Sequence, residues 1–419
     1  MTRTNTSVDC ESGTSNLLNV ANALEKIRAS LQPVAGFETL FLRNALSRVL
    51  YEDVLSPINV PNYRNSAMDG YAIAYADLKS EGETPLRVIG TAFAGQPYTG
   101  NPVSGDAVRI MTGAVVPEGL DTVIMQEQTV RDGDQVRIRA GHRHGDNVRG
   151  IGEDIARNSV VLHKGRRLRA ADLGLLASLG IAEVRVRRKL RVAFFSTGDE
   201  LRSLGQSLGE GQIYDSNRYT LHGMLTRLGV EIIDMGVIPD QREAVAEAFT
   251  SASVIADVLI TSGGVSVGEA DFVKETLDRL GQVNFWKIAM KPGKPLAFGK
   301  VNQATFFGLP GNPVSAMATF YQIVLPALRQ LMGENEVKPL TLKVPCATRL
   351  KKSPGRQDFQ RGILERNSNG DLTVRTTGPQ GSHILSSMSH ADCFIILPSD
   401  WGNVEAGTLV EVQPFEGLF

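Results

Sequence analysis

The spacing of apolar positions changes several times along the chain. From residue 17 to 31, Leu17, Val20, Ala21, Leu24, Ile27 and Ala29 recur near helical spacing, which predicts a helix with one buried stripe. A second helical stretch is expected around residues 42–50. Pro57, Pro61 and the run Asn62-Tyr63-Arg64-Asn65 then break regularity. Between residues 58 and 154 the apolar runs are short (86–88, 107–110, 122–125 and 136–138) and separated by Gly, Pro, Asn and Asp, the pattern of a small β-rich insertion. Helical spacing returns at 170–179, followed by a strand at 182–186. The material on both sides of the insertion is therefore expected to form one discontinuous unit.

Residues 189–332 alternate between the two periods. An apolar strand at 190–196 precedes a helix at 216–228 that Gly229 ends. A strand at 230–235, a helix at 243–253, a strand at 258–261 and a helix at 271–280 follow. This order implies a mostly parallel sheet with helices on both faces, a doubly wound α/β domain. From residue 333 onward short β runs return, at 340–344, 371–374, 393–397 and 408–412. The expected division is a flexible tail at 1–16, a discontinuous helical and extended domain at 17–57 and 155–188, and the β-rich insertion at 58–154. The α/β domain at 189–332 and a C-terminal β domain at 333–419 complete it. No internal repeat is visible.

Composition narrows the function classes. Lys plus Arg number 44 and Asp plus Glu 45, a formal net charge of −1, which argues against a protein built to coat nucleic acid. The run 185–191 holds five basic residues in seven and is expected to cover a solvated strand edge or hinge. Cys10, Cys346 and Cys393 are too far apart for a CxxC zinc site or a disulfide framework, which fits a reducing compartment. No signal peptide or membrane span is expected, so the location implied is the cytoplasm.

Candidate chemistry concentrates in loops that right-handed crossovers would place at the carboxyl ends of the parallel strands, where open α/β sheets bind ligands. Thr261-Ser262-Gly263-Gly264-Val265-Ser266-Val267-Gly268-Glu269-Ala270-Asp271 follows an apolar strand and precedes a helix. Its glycines let backbone N–H groups turn toward a phosphate, with Ser262 and Ser266 as extra donors and Asp271 able to take Mg²⁺ or position water. The same spacing also suits a tight βα turn in which Asp271 caps the helix. Lys287, Lys291 and Lys294 fall within eight residues, stiffened by Pro292 and Pro295. Charges held on a Pro-Gly-Lys-Pro clamp favour oxyanion binding over a solvated loop. Gly308-Leu309-Pro310-Gly311-Asn312-Pro313 opens a helix through residue 324, with Asn312 as N-cap or as part of a second anion cradle. Ser196-Thr197-Gly198-Asp199-Glu200-Leu201 sets two carboxylates at the same edge, one a plausible metal ligand and one explained equally well by the helix dipole. Asp215 to Arg218 and Pro239-Asp240 also reach that edge. His142 and His144 have no third ligand in view and are expected as loop histidines.

Asn65-Ser66-Ala67-Met68-Asp69-Gly70-Tyr71-Ala72, Arg109-Ile110-Met111-Thr112-Gly113 and the α/β loops above occur together and in order. In this combination the chain resembles the MoeA family of molybdopterin molybdenumtransferases, related to the C-terminal domain of gephyrin. The resemblance covers residues from about 17 to 419. It implies four domains and an elongated homodimer whose active site is shared between subunits. It implies molybdate and adenylylated molybdopterin as substrates, Mg²⁺ as cofactor, and molybdenum cofactor and AMP as products. Carried onto this chain, the site residues implied are Asp69 and Thr112 from the insertion, and Glu200, Asp240, Asp271, Lys287, Lys291 and Lys294 from the α/β domain. Ser382, in Gly381-Ser382-His383, is a further candidate. Glu200 and Asp271 would hold the metal, the glycine loop through Ser262, Gly263, Gly264 and Ser266 would hold substrate, and Asp69 or Asp240 would relay protons. Gly355-Arg356-Gln357-Asp358-Phe359 varies around the family's Gly-Arg-x-x-Phe pattern. Molybdopterin adenylyltransferases and apo-molybdoenzymes are possible partners. Two other readings remain: an adenylyltransferase, which lacks the added domains, and a non-enzymatic gephyrin-like scaffold.

Overall fold

A computed structural model describes residues 17–263, 272–336 and 338–418. The tail expectation for residues 1–16, and the roles expected of Gly264, Ser266 and Asp271, lie outside the described residues. The helix Val20–Ser30 forms as expected, with the Asn19 side chain accepting from the Asn22 N–H at 2.7 Å. Its buried Val20, Ala23 and Ile27 join the core of the α/β domain.

The stretch at 42–50 is not a helix. The strand Phe37–Phe41 pairs antiparallel with Glu183–Arg187, a single 3₁₀ turn covers Leu42–Asn44, and Ser47 takes φ 62°. Val49 and Leu50 then bridge to Arg167 and Val186. Their apolar spacing mimics a helix because Ala45 and Leu50 face one small core, shared with Leu162, Leu168, Leu176, Val184 and Val186. That core is built from chain on both sides of the insertion, tied further by Val54–Leu55 pairing with Val160–Leu162. The helix Ala170–Ser178 starts where Asp172 accepts from the Arg169 N–H at 2.9 Å and from the Arg166 guanidinium at 2.8 Å.

The insertion carries a six-stranded sheet in the order Thr122–Met125, Gly70–Ile73, Asp106–Ile110, Glu83–Ala92, Gln135–Arg139 and Thr129–Asp132. Alternation works on both faces: Ala72 packs into one cluster while Tyr71 and Ile73 pack into another.

The α/β sheet runs Glu231–Ile238, Arg191–Thr197, Val258–Ser262, Ala304–Leu309, Pro295–Val301 and Gly281–Lys287. The first four strands are parallel, Pro295–Val301 runs against them, and Gly281–Lys287 pairs antiparallel with Pro295–Val301. Helix Ser216–Leu228 and the helical run 313–331 cover one face, Arg242–Ile255 and Phe272–Leu280 the other. The run expected to end at 324 continues to Leu331 through a π turn at Phe320–Val324. Pro326 lacks the N–H that residue 322 would accept, so the ladder shifts register there.

The C-terminal sheet runs Met290–Lys291, Gln357–Arg366, Cys393–Leu397, Leu409–Pro414 and Leu342–Pro345, with Leu372–Thr376 beside Gln357–Arg366. Its first strand comes from the lysine loop of the α/β domain, so the two domains are joined by main-chain pairing. The strand Gln357–Arg366 was not expected, because buried Asp358, Gln360 and Arg361 interrupt its apolar pattern. The basic run at 185–191 ends the strand Glu183–Arg187 and leads into the strand starting at Arg191, with Arg188 holding Asp257 through bonds of 2.7 and 2.8 Å. No helix among the described residues is long and apolar enough to cross a membrane.

Candidate active site

The carboxyl ends of the parallel strands open into a cleft of about 600 Å³, lined by Thr197, Glu200, Asp215, Asn217, Ser262, Gly263, Gly311 and Asn312 among others. Asn217 holds three of its walls together. Its Nδ2 donates to Ser262 Oγ and to the Gly311 carbonyl, both at 2.7 Å. Helix Ser216–Leu228 places Asn217 there because Asp215 caps it, accepting from the Arg218 N–H at 3.0 Å, and Gly229 ends it at φ 81°. Gly263 takes φ 89°, and a Cβ there would lie 2.8 Å from the Thr197 carbonyl oxygen, so only glycine lets the two loops approach. Pro313 occupies the first helical turn and Ala316 donates to the Asn312 carbonyl at 2.9 Å, but the Asn312 side chain makes no capping bond and lines the cleft. Four side-chain oxygens at this edge, Ser196 Oγ, Thr261 Oγ1, Asp215 Oδ2 and Asn217 Oδ1, are buried without a hydrogen-bond partner among the described residues.

Carboxylates gather beside the cleft. The strand Glu231–Ile238 leads to Asp240, whose N–H donates to Asp199 Oδ1 at 3.4 Å. Burial, followed by the charges of Asp199 and Glu200, pushes the Asp240 carboxyl above its ordinary value. Hard oxygen donors of this kind suit Mg²⁺, and like charges crowded together would be relieved by it. Among the described residues no three acidic, His or Cys side chains close on one point.

The lysines lie apart from the lining of this cleft. Lys287 ends the edge strand Gly281–Lys287, and its carbonyl accepts from the Leu18 N–H at 2.9 Å. Lys291 lies on the strand given to the C-terminal sheet, 4.0 Å from the Asp358 carboxylate. Lys294 is exposed and its carbonyl accepts from the Ile288 N–H at 2.6 Å, closing the loop. Asp69 and Thr112 meet in the insertion: the Thr112 N–H and hydroxyl both donate to Asp69 Oδ1 at 2.7 Å. These bonds, the backbone one first, hold Asp69 below the usual carboxylate range. Neither residue lines the cleft of its own chain.

The C-terminal domain reaches the cleft through His383 and Leu385. Ser382 accepts through its carbonyl from the Val314 N–H at 3.1 Å, which docks this loop on the helix start. The loop is held from behind by Arg361, which is 1% exposed and donates to Ser387 Oγ and the Gly381 carbonyl, both at 3.0 Å. Burial lowers the Arg361 guanidinium to about 10. Sequence reasoning missed Arg361, and it named the segments that hold Asn217, His383 and Asp358 without singling those residues out. The signal available for two of them was a charged residue inside a strand-like run.

The fold and the cleft define a multidomain protein whose doubly wound domain presents a polar, oxyanion-suited site to a neighbouring β domain. Residues 18–180 match the MoeA N-terminal region (domain I and II), 193–330 a probable molybdopterin binding domain, and 343–415 the MoeA C-terminal region (domain IV). A molybdopterin molybdenumtransferase of Haemophilus influenzae is 48% identical over 96% of this chain and 100% of that protein. Gephyrin of Dictyostelium discoideum is 34% identical over 94% of this chain and 60% of that protein. The crystal structure of a molybdopterin biosynthesis moeA protein from Pyrococcus horikoshii superposes with a TM-score of 0.83 at 28% identity, over 96% of this chain and 100% of that one. The chain belongs to the MoeA family of molybdopterin molybdenumtransferases.

Proposed function

We propose that the protein inserts molybdate into adenylylated molybdopterin in the cytoplasm and releases AMP and molybdenum cofactor. The observation that carries this reading is the cleft framed by Asn217, Ser262 and Gly311, where Gly263 lets the strand end approach the Thr197 carbonyl too closely for a side chain. All the substrates are oxyanions or thiolates. Lys287, Lys291 and Lys294 would supply positive charge for them from the adjoining loop, and charge placed ahead of the reaction is often the largest catalytic contribution. Mg²⁺, held by Glu200 and Asp271, would compensate charge on the pyrophosphate as AMP leaves.

Replacing molybdate oxo groups by sulfur consumes protons. Asp240, raised by burial and then by the charges of Asp199 and Glu200, holds a proton more readily than an ordinary aspartate, whereas Thr112 favours the anionic form of Asp69. Asp240 is therefore the proton relay, and Asp69 with Thr112 orients substrate. That this pair is not among the residues lining the cleft of its own chain supports a homodimer in which the insertion, 58–154, of one subunit faces the α/β domain, 189–332, and C-terminal domain, 333–419, of the other. Adenylyltransferase and apo-molybdoenzymes would stand upstream and downstream. Purified protein is expected to release AMP from adenylylated molybdopterin with Mg²⁺ only when molybdate is added, and the product should activate an apo-molybdoenzyme. Molybdate-independent release would point to hydrolysis, and no release from folded protein would favour a scaffold role, the reading suggested by the gephyrin relative.

A further inference from the structure

The lysine loop does two things at once. Lys291 faces solvent at its tip, yet Met290 and Lys291 form the first strand of the C-terminal sheet, pairing in register with Gln357 and Asp358. The Gln357 N–H donates to the Ala289 carbonyl at 2.9 Å, which fixes the start of that seam. Directly across from Lys291 the C-terminal domain sets a carboxylate. Asp358 is 2% exposed, and its Oδ2 lies 4.0 Å from Lys291 Nζ.

A buried carboxylate is costly unless it serves its neighbours. The surroundings of Asp358 are unusually basic. Lys352 is buried, with its Nζ donating to the Arg356 carbonyl at 2.8 Å and the Ser353 carbonyl at 3.2 Å. Gln360 Nε2 donates to Asp358 Oδ2 at 3.4 Å and to the Lys351 carbonyl at 2.8 Å, which orients the carboxylate. Burial pushes the Asp358 carboxyl up, while Lys291, Lys352 and Arg356 pull it down. Lys352 is committed to carbonyls of its own turn, so the group left to meet the carboxylate from the loop side is Lys291, whose long stem would otherwise sample many rotamers.

We infer that Asp358 is a positioning residue that acts through Lys291: the C-terminal domain sets the place of the ammonium with which the α/β domain grips an oxyanion substrate. This rests on the reading of Lys291 as an oxyanion-binding residue. A tethered lysine binds without first losing its freedom, so the benefit falls on substrate binding more than on the chemical step.

The test is a double-mutant cycle in the full-length protein, with molybdate as the varied substrate and AMP release as the rate. Asp358→Asn should raise KM for molybdate about tenfold, with a smaller change in kcat, an effect of the size usual for coupled neighbours. Asp358→Glu should recover part of the loss. In a Lys291→Gln background, Asp358→Asn should have no further effect on KM. Equal effects of Asp358→Asn with and without Lys291 would overturn the inference, as would a normal KM in Asp358→Asn. A normal KM in Lys291→Gln alone would instead remove Lys291 from the binding site, and the inference with it. Melting curves run alongside separate loss of fold, which Asp358→Glu should avoid because it keeps the charge.

Discussion

Asp240 links the proposed proton relay to the stability of the fold. Its carboxyl is raised by burial and by Asp199 and Glu200, so the folded state holds a proton that the unfolded chain, with an ordinary value of 3.8, has already lost. Stability therefore falls as pH rises from the unfolded value through the folded one, and the penalty is fully present above it. Asp240→Asn removes the charge and keeps the shape. It should melt higher than the wild type at neutral pH and together with it near about pH 3, where both states of the aspartate are protonated. The same variant should lose molybdate-dependent AMP release if Asp240 relays protons. A lower melting temperature at neutral pH would mean that the carboxylate is stabilised by a partner.

At the level of elements, what places Asp240 is a bulge in the strand Glu231–Ile238. Its register against Arg191–Thr197 shifts between Phe194 and Ser196. Asp234 holds the shift, accepting from the Gly236 N–H at 3.0 Å and from Arg218 Nε at 2.9 and 3.0 Å, while Gly236 takes φ 82°. Asp234→Ala should cost about 1 kcal/mol in chemical denaturation, since the pair is partly exposed, and should lower turnover further than that loss explains. Turnover that merely tracks stability would show the bulge to be structural. The sequence exposed some of this machinery and hid the rest. Helix Ser216–Leu228 was legible because a capping Asp215 and a C-terminal Gly229 bracket it. The bulge was not, because one extra residue leaves no mark on a two-residue period. Gln357–Arg366 was hidden because its polar residues turn inward, where Arg361 anchors the Gly381 loop and Asp358 meets Lys291. The 42–50 stretch misled for the opposite reason, since Ala45, Val49 and Leu50 have helical spacing but are buried by pairing and turns. Among the site residues, glycine turns, lysine spacing and the edge position of Asp215 to Arg218 could be read, but the role of Asn217 could not, since its bonds to Ser262 and Gly311 join loops far apart in the chain.

For the whole molecule, the proposed site draws on two regions, and Asp69 and Thr112 of the insertion are not among the residues lining the cleft of their own chain. Asp69 and Thr112 bind each other in the insertion, while Glu200 lines the cleft of the α/β domain. The proposed closed twofold dimer would pair each insertion with the opposite cleft and so make two equivalent sites. The arrangement can be tested by complementation. Asp69→Asn and Glu200→Gln are each expected to be inactive alone. In a mixed dimer, one site combines both defects, and the other combines the intact insertion of one subunit with the intact cleft of its partner. Random pairing on co-expression makes about half the dimers mixed, each with one good site of two, so activity should return to about a quarter of wild type. If each chain held a complete site of its own, every site in the mixture would carry one defect and no activity would return. Dimers purified with a different tag on each variant sharpen the contrast, because the mixed species alone should then show about half of wild-type activity.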